Sequence, residues 1–202
     1  MSPRNIEKDL LMREERKKFI LDSAVQVIAT KGIGSTHMND IAAAASISIG
    51  NLYHYFKSKD EIYAELLYMT QTDYGLFVTA ASQMPGNAID KLRYICSTWL
   101  SISTNWAFTI LIQTARTTES IPLEIRNAVT ERFTANLQPV AAIMKEGQES
   151  GHILDGEDPL ELAFYFVSLI QGLTLQRAPG IEVRITPKTE SIIRLFQVGF
   201  KK

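Results

Sequence analysis

Apolar residues recur along this chain at the spacing of helices. Over 14–31, Ile20, Ala24, Val27 and Ile28 fall at i, i+4, i+7 and i+8, while Lys18, Asp22 and Gln26 take the opposite face. Gly32 supplies a stop, since glycine enters the left-handed region without steric cost. Thr36 then reads as the N-cap of a short, alanine-rich helix, and Ser48 as the N-cap of a third that ends near Tyr55. Ser58-Lys59-Asp60-Glu61 fits a capping box, opening a fourth helix that runs to about Ala80.

Gln83-Met84-Pro85-Gly86-Asn87 breaks the pattern, and the next helix runs through about Ile102. Asn105 is the expected cap of a helix WAFTILIQTARTT. Pro122 sits where a first-turn proline belongs, ahead of a long helix that Gly151 ends. Asp158-Pro159-Leu160-Glu161 combines a cap, a first-turn proline and a carboxylate near the positive helix end. The helix it opens, 159–177, is apolar on nearly every side and calls for cover beyond its own subunit's core. A final helix, 188–200, carries Ile192, Leu195, Phe196 and Phe200 on one stripe. Only IEVRI reads as a short strand. The expectation is an all-α fold of about nine helices.

Composition narrows the function classes. The 202 residues are 46% hydrophobic and 21% charged, with a net charge of −1. Residues 1–60 hold nine Lys/Arg against seven Asp/Glu, and 61–202 hold twelve against fifteen. Any DNA binding must therefore rest on a few placed cations and on geometry, not on a basic coat. The single Cys96 excludes an intrachain disulfide and favours a reducing compartment. The charged N-terminus lacks the apolar core of a secretory signal, and no apolar run reaches bilayer length. These features point to a cytoplasmic protein without a membrane partner. Three histidines and one cysteine show no zinc spacing, so neither metal nor cofactor is expected. No phosphate loop, serine elbow or carboxylate pair appears, so no catalytic residue is nominated and the chain does not read as an enzyme.

Two short helices joined by a few residues form a helix-turn-helix, which lays its second member in the DNA major groove. Ile47, Leu52 and Phe56 serve as anchors for that member. Ser48, Gly50, Asn51 and His54 then face outward near the helix end that projects backbone N–H groups.

Residues 16–62 resemble the DNA-binding domain of the TetR family of bacterial transcriptional regulators. The matching residues are Gly32 through Thr36, then Ile41-Ala42-Ala43-Ala44-Ala45-Ser46-Ile47-Ser48-Ile49-Gly50-Asn51-Leu52-Tyr53-His54-Tyr55-Phe56, then Lys57-Ser58-Lys59-Asp60-Glu61-Ile62. Ser46 stands where the family has its turn glycine. Ile49 stands where many relatives carry a polar residue; it either touches a thymine methyl or joins the anchor. The resemblance implies phosphate contacts from Thr36, Tyr53, Tyr55 and Lys59, with Ser48 nearby. It implies groove contacts from Ile49, Gly50, Asn51 and His54.

The resemblance also implies a division into a DNA-binding domain, 1–60, and a helical regulatory domain, 61–202. The latter would hold a small-molecule effector and form a homodimer through helices 159–177 and 188–200. Gly172 would allow close helix approach there. Aromatic walls with a few polar groups nominate Trp99, Trp106, Gln113, Arg116 and Phe164 for the effector pocket. The expected partner is a palindromic double-stranded operator, released by an apolar or amphipathic ligand. Two rivals are a regulatory domain that docks another protein, and an all-helical enzyme that retains a helix-turn-helix.

Overall fold

The computed structural model describes the backbone of residues 3–119, 121–181, 183 and 185–199. The chain divides into two compact units, Met1–Met69 and Thr70–Lys202. Nine helices are described: α1 (Pro3–Lys31), α2 (Met38–Ala44), α3 (Ile49–Tyr55), α4 (Lys59–Gln83), α5 (Ala88–Ser101), α6 (Asn105–Thr117), α7 (Leu123–Glu149), α8 (Pro159–Leu175) and α9 (Thr189–Ile193). None of them alone is long and apolar enough to cross a membrane. Ile181, Val183 and Ile185 carry no strand, and positions 182 and 184 of the expected IEVRI strand lie outside the described residues.

In the first unit α1 begins about eleven residues earlier than the apolar stripe implies. Its stripe buries Ile20, Leu21, Ala24, Val25 and Ile28, whereas Val27 is only half-buried. Ile41, Ala42 and Ala45 from α2 and its end, and Leu52 and Phe56 from α3 and its end, are buried in this unit as well. The opening turns of α4 add Ile62, Tyr63, Leu66 and Leu67, all at most 3% exposed. That apolar contribution is why the unit ends at Met69 instead of near residue 60.

Capping chemistry sets the helix-turn-helix. Thr36 is not the cap of α2; His37 occupies that position, and the Asp40 carboxylate accepts its backbone N–H at 2.9 Å. Thr36 instead is fully buried, its hydroxyl donating to the Gly32 carbonyl at 2.8 Å. Ser48 caps α3 as expected, accepting Asn51 N–H at 3.1 Å. Between the helices Ile47 N–H donates to Ala42 O and Ser46 N–H to Ala43 O, the paired bonds of a Schellman turn. Its left-handed position falls on Ser46, with φ of 53°.

The second unit has a core drawn from α4, α5, α7, α8 and α9, including Leu92, Ile95, Val140, Met144, Phe166 and Ile193. Lys91 on α5 reaches Glu146 on α7 at 2.7 Å. Asn105 does not cap α6 through its side chain: it is buried and donates to Trp99 O at 2.7 Å, tying α5 to α6. Asp158 caps α8, accepting Leu160 N–H at 2.7 Å and Glu161 N–H at 3.2 Å.

The final helix differs most from expectation. α9 has five residues, and the chain then turns so that 196–198 pairs with 152–154 in an isolated antiparallel bridge, Ile153 to Gln197. Leu154 N–H donates to Phe196 O, and Val198 N–H to His152 O. Phe196 packs edge-on to Phe166 at 5.4 Å, so the tail reaches core as extended chain. Leu195 is left 62% exposed, and Phe200 lies outside the described residues.

Candidate nucleic-acid interface and ligand cleft

The surface of α3 follows from what holds it down. Leu52 and Phe56 are 0% exposed, so the residues between and before them must point away from the unit's core. Ile49 is 37% and Tyr53 54% exposed, both high for large apolar side chains. Ser48, Gly50 and His54 are exposed too, and Asn51 is half-buried. Ile49 is thus on the surface and outside the anchor.

Gly50 has helical backbone, and a Cβ placed on it would meet nothing within 4 Å. Nothing inside the unit calls for glycine at this position, although glycine costs a helix about 1 kcal/mol relative to alanine. The residue therefore makes sense as a place where something outside the chain comes close to the backbone.

Two nominated residues are engaged within the fold. Thr36 spends its hydroxyl on Gly32 and is buried. Lys59 directs its ammonium at the Ile33 and Gly34 carbonyls, at 2.8 and 3.0 Å, clamping the turn between α1 and α2. Lys59 still lines an open hollow with His37, Asn39, Ile49 and Tyr53, where the ends of α2, α3 and α4 meet. Asp40 at the start of α2 is held below the usual carboxylate range, chiefly by its hydrogen bond with Lys31 at 2.8 Å and then by the His37 N–H.

Tyr55 is half-buried under the Arg13 guanidinium, 5.5 Å from its ring centroid, and Arg13 also donates to His54 O at 3.2 Å. This contact from the early part of α1 was missed in the residue pattern. Its only signal there is the charged run Arg13 to Lys18, which includes Glu14 and Glu15 and reads equally as a solvated face.

In the second unit, Gln113, Arg116 and Phe164 line one cleft of about 320 Å³, together with Thr109, Phe133, Ser168, Gln171, Gly172 and Leu175. Arg116 stacks over Phe133 at 4.5 Å, and Phe133 meets Phe164 edge-on at 6.4 Å. Of the missed wall residues Thr109 had a signal: it falls four and seven residues before the nominated Gln113 and Arg116 on α6.

Trp99 lies elsewhere, with Tyr74, Ile95, Val167, Ile170 and Gln171 around a narrow internal space. Its indole stands edge-on to Tyr74 at 4.9 Å, and its buried Nε1 has no partner among the described residues. Burial pushes the Tyr74 phenol well above its ordinary range. Gln171 borders both spaces. Trp106 is 7% exposed and lines neither, so it is a core residue.

Comparison with known proteins agrees with this architecture. Residues 20–66 match the model of "Bacterial regulatory proteins, tetR family". The fatty acid metabolism regulator protein of Bacillus subtilis (strain 168) is 29% identical over 152 residues, spanning 73% of this chain and 76% of that protein. The crystal structure of the transcriptional regulator FadR from Bacillus subtilis in complex with stearoyl-CoA has a TM-score of 0.68 at 23% identity, covering 88% of this chain and 96% of that one. That of AibR in complex with isovaleryl coenzyme A and operator DNA has a TM-score of 0.60 at 19% identity, covering 89% and 94%. Residues 20–66 thus match the helix-turn-helix domain of the tetR family of bacterial regulatory proteins, and the all-helical architecture is shared with these solved structures.

Proposed function

We propose that this protein is a homodimeric transcriptional repressor that binds a palindromic operator through α3 and is released by an amphipathic small molecule held in the α6–α8 cleft. The observation that carries the reading is the surface of α3. Leu52 and Phe56 bury the helix, while Ile49, Gly50, Asn51, Tyr53 and His54 stand free for base edges and phosphates. Ile49 supplies apolar contact to a thymine methyl, and Asn51 a bidentate amide. The two units follow the same division of labour, with Met1–Met69 carrying the DNA contacts and Thr70–Lys202 the control.

The cleft supports an amphipathic effector. Arg116 and Gln113 can hold an anionic or polar head, and Phe133, Phe164 and Leu175 an apolar chain. The relatives found with stearoyl-CoA and isovaleryl coenzyme A make acyl thioesters the first compounds to try. The dimer reading rests on α8, which leaves Phe164 at 44% and Tyr165 at 51% exposed beside Ser168 and Gly172. Effector binding then shifts the pair of α3 helices away from the spacing of about 34 Å that successive major-groove faces demand.

The test is selection of bound duplexes from a random library, followed by mobility shift. Palindromic sites should emerge, and the triple variant Tyr53→Phe, Asn51→Ala, Lys59→Ala should lose them. Indifference to that triple change would sink the assigned interface. Sedimentation should give twice the 22.7 kDa chain mass. Stearoyl-CoA should dissociate the complex in the wild type and not in Arg116→Ala.

A further inference from the structure

We infer that the N-terminal half of α1 forms a second phosphate-binding surface for duplex DNA, in which Arg13 and Arg16 flank the Tyr55 ring. This rests on the DNA-binding reading above and adds a contact outside the helix-turn-helix.

Cations free for phosphate are few in the first unit. The chain has no basic coat, and three of the six lysines of the first unit are committed to partners within the fold. Lys17 pairs with Glu65 at 2.7 Å and Lys31 with Asp40 at 2.8 Å. Lys59 gives two of its three donors to the Ile33 and Gly34 carbonyls. A duplex binder draws its sequence-independent affinity from neutralised phosphates, so other cations must supply it.

Arg13 and Arg16 have the required properties. Both are exposed, and among the described residues neither forms an ion pair. Each guanidinium is steadied by stacking, Arg13 over Tyr55 at 5.5 Å and Arg16 over Phe19 at 5.4 Å. A stacked guanidinium keeps its planar fork aimed outward, the geometry that suits a phosphate. The two line one open groove of about 700 Å³ with Asp9, Leu10, Met12 and Tyr55. Arg13 also holds His54 O, which fixes the groove to the C-terminal end of α3. A phosphate seated there is therefore held in register with the bases that α3 reads. Asp9 is the one carboxylate of the groove lining, and it opposes an anion.

The experiment is fluorescence anisotropy with the duplex that the protein selects from a random library, titrated over a series of salt concentrations. Arg16→Ala is the clean probe, because Arg16 stacks on Phe19 of its own helix whereas Arg13 is tied to α3 through Tyr55 and His54 O. It should weaken binding several-fold at low salt and reduce the slope of log K against log[salt] by ~0.9, and the Arg13→Ala, Arg16→Ala pair by ~1.8. Arg16→Lys should keep the slope, and Asp9→Asn should tighten binding. A merely structural role would change affinity without moving the slope. Wild-type slopes in both alanine variants would overturn the inference and leave the regulator reading standing. A wild type that selects no duplex would remove both. Capture of the wild type, but not of the double variant, by phosphatidylglycerol vesicles with unchanged duplex slopes would assign the patch to a lipid surface and overturn it too.

Discussion

Replacing Gly50 by alanine separates what α3 does for the fold from what it does for DNA. The added methyl meets no atom within 4 Å, and the backbone there is already helical. Only propensity acts in the free protein, so Gly50→Ala should stabilise it by about 1 kcal/mol. For a unit of this size that raises the melting temperature by about 4 °C or more, measurable by far-UV circular dichroism. With α3 in the major groove as proposed, the same methyl would stand where the backbone approaches the duplex. Affinity should fall at least tenfold, which is about 1.4 kcal/mol, with the salt slope unchanged because no charge is lost. Gly147→Ala supplies the opposite sign from the same chemistry. Its Cβ would lie 2.3 and 2.5 Å from Ile153 Cδ1 and Cγ1 and 3.0 Å from Ala88 Cβ. Ile153 cannot retreat, because His152 and Ile153 both donate to Gly147 O and the neighbouring residues are pinned to the tail. Overpacking of about 1–3 kcal/mol should offset or exceed the propensity gain, giving a net loss. Both tryptophans lie in the second unit, so their fluorescence in urea reads this loss directly. Wild-type duplex affinity in Gly50→Ala would refute the groove approach, and a lowered melting temperature would refute the claim of open space.

Ser46 sits at φ of 53°, a left-handed position that costs a non-glycine residue about 1–2 kcal/mol. Ser46→Gly should be neutral to stabilising by about 1 kcal/mol after its larger chain entropy, and Ser46→Val destabilising, both checked by thermal melting. Ile49→Ala should change stability by less than about 0.5 kcal/mol, whereas Leu52→Ala should cost about 2–5 kcal/mol, because one side chain is surface and the other fully buried. Burial pushes the Cys96 thiol up to about 11 and the Tyr63 phenol up to about 12. Both groups are neutral when protonated, so the folded state holds its protons longer than the unfolded chain. Stability should be flat below the ordinary thiol value near 9 and fall as pH rises through about 11 and 12. At pH 8 a thiol reagent should leave native Cys96 untouched and label it fully in denaturant.

The first unit was largely legible in the residues because its determinants are local. Ser48, the apolar spacing of Ile41, Leu52 and Phe56, and the short link between α2 and α3 specify cap, core and turn within a few residues of each other. The partners of Thr36 and Lys59 within the fold were not legible in the sequence because both contacts cross the α1–α2 turn. Thr36 reaches back four residues to Gly32, and Lys59 reaches 26 residues to Ile33. The expectation of an Asn105 cap failed because a buried amide serves a carbonyl six residues earlier instead of its own helix. The Arg13 contact with His54 spans 41 residues, a pairing that no period in the sequence encodes.

By itself, then, the sequence determined the helical class, the placement of most caps, and the surface ridge of α3. Each of these depends on interactions within one or two helical turns. Tertiary structure alone decided that Gln113, Arg116 and Phe164 share a cleft while Trp99 faces another space and Trp106 lines neither. It also decided that the tail after α9 is extended, since the apolar stripe of Ile192, Leu195 and Phe196 is compatible with a longer helix. The hydrogen bonds from 196–198 to 152–154 and the seat of Phe196 on Phe166 settled that choice, and both partners lie about 30 to 45 residues away along the chain.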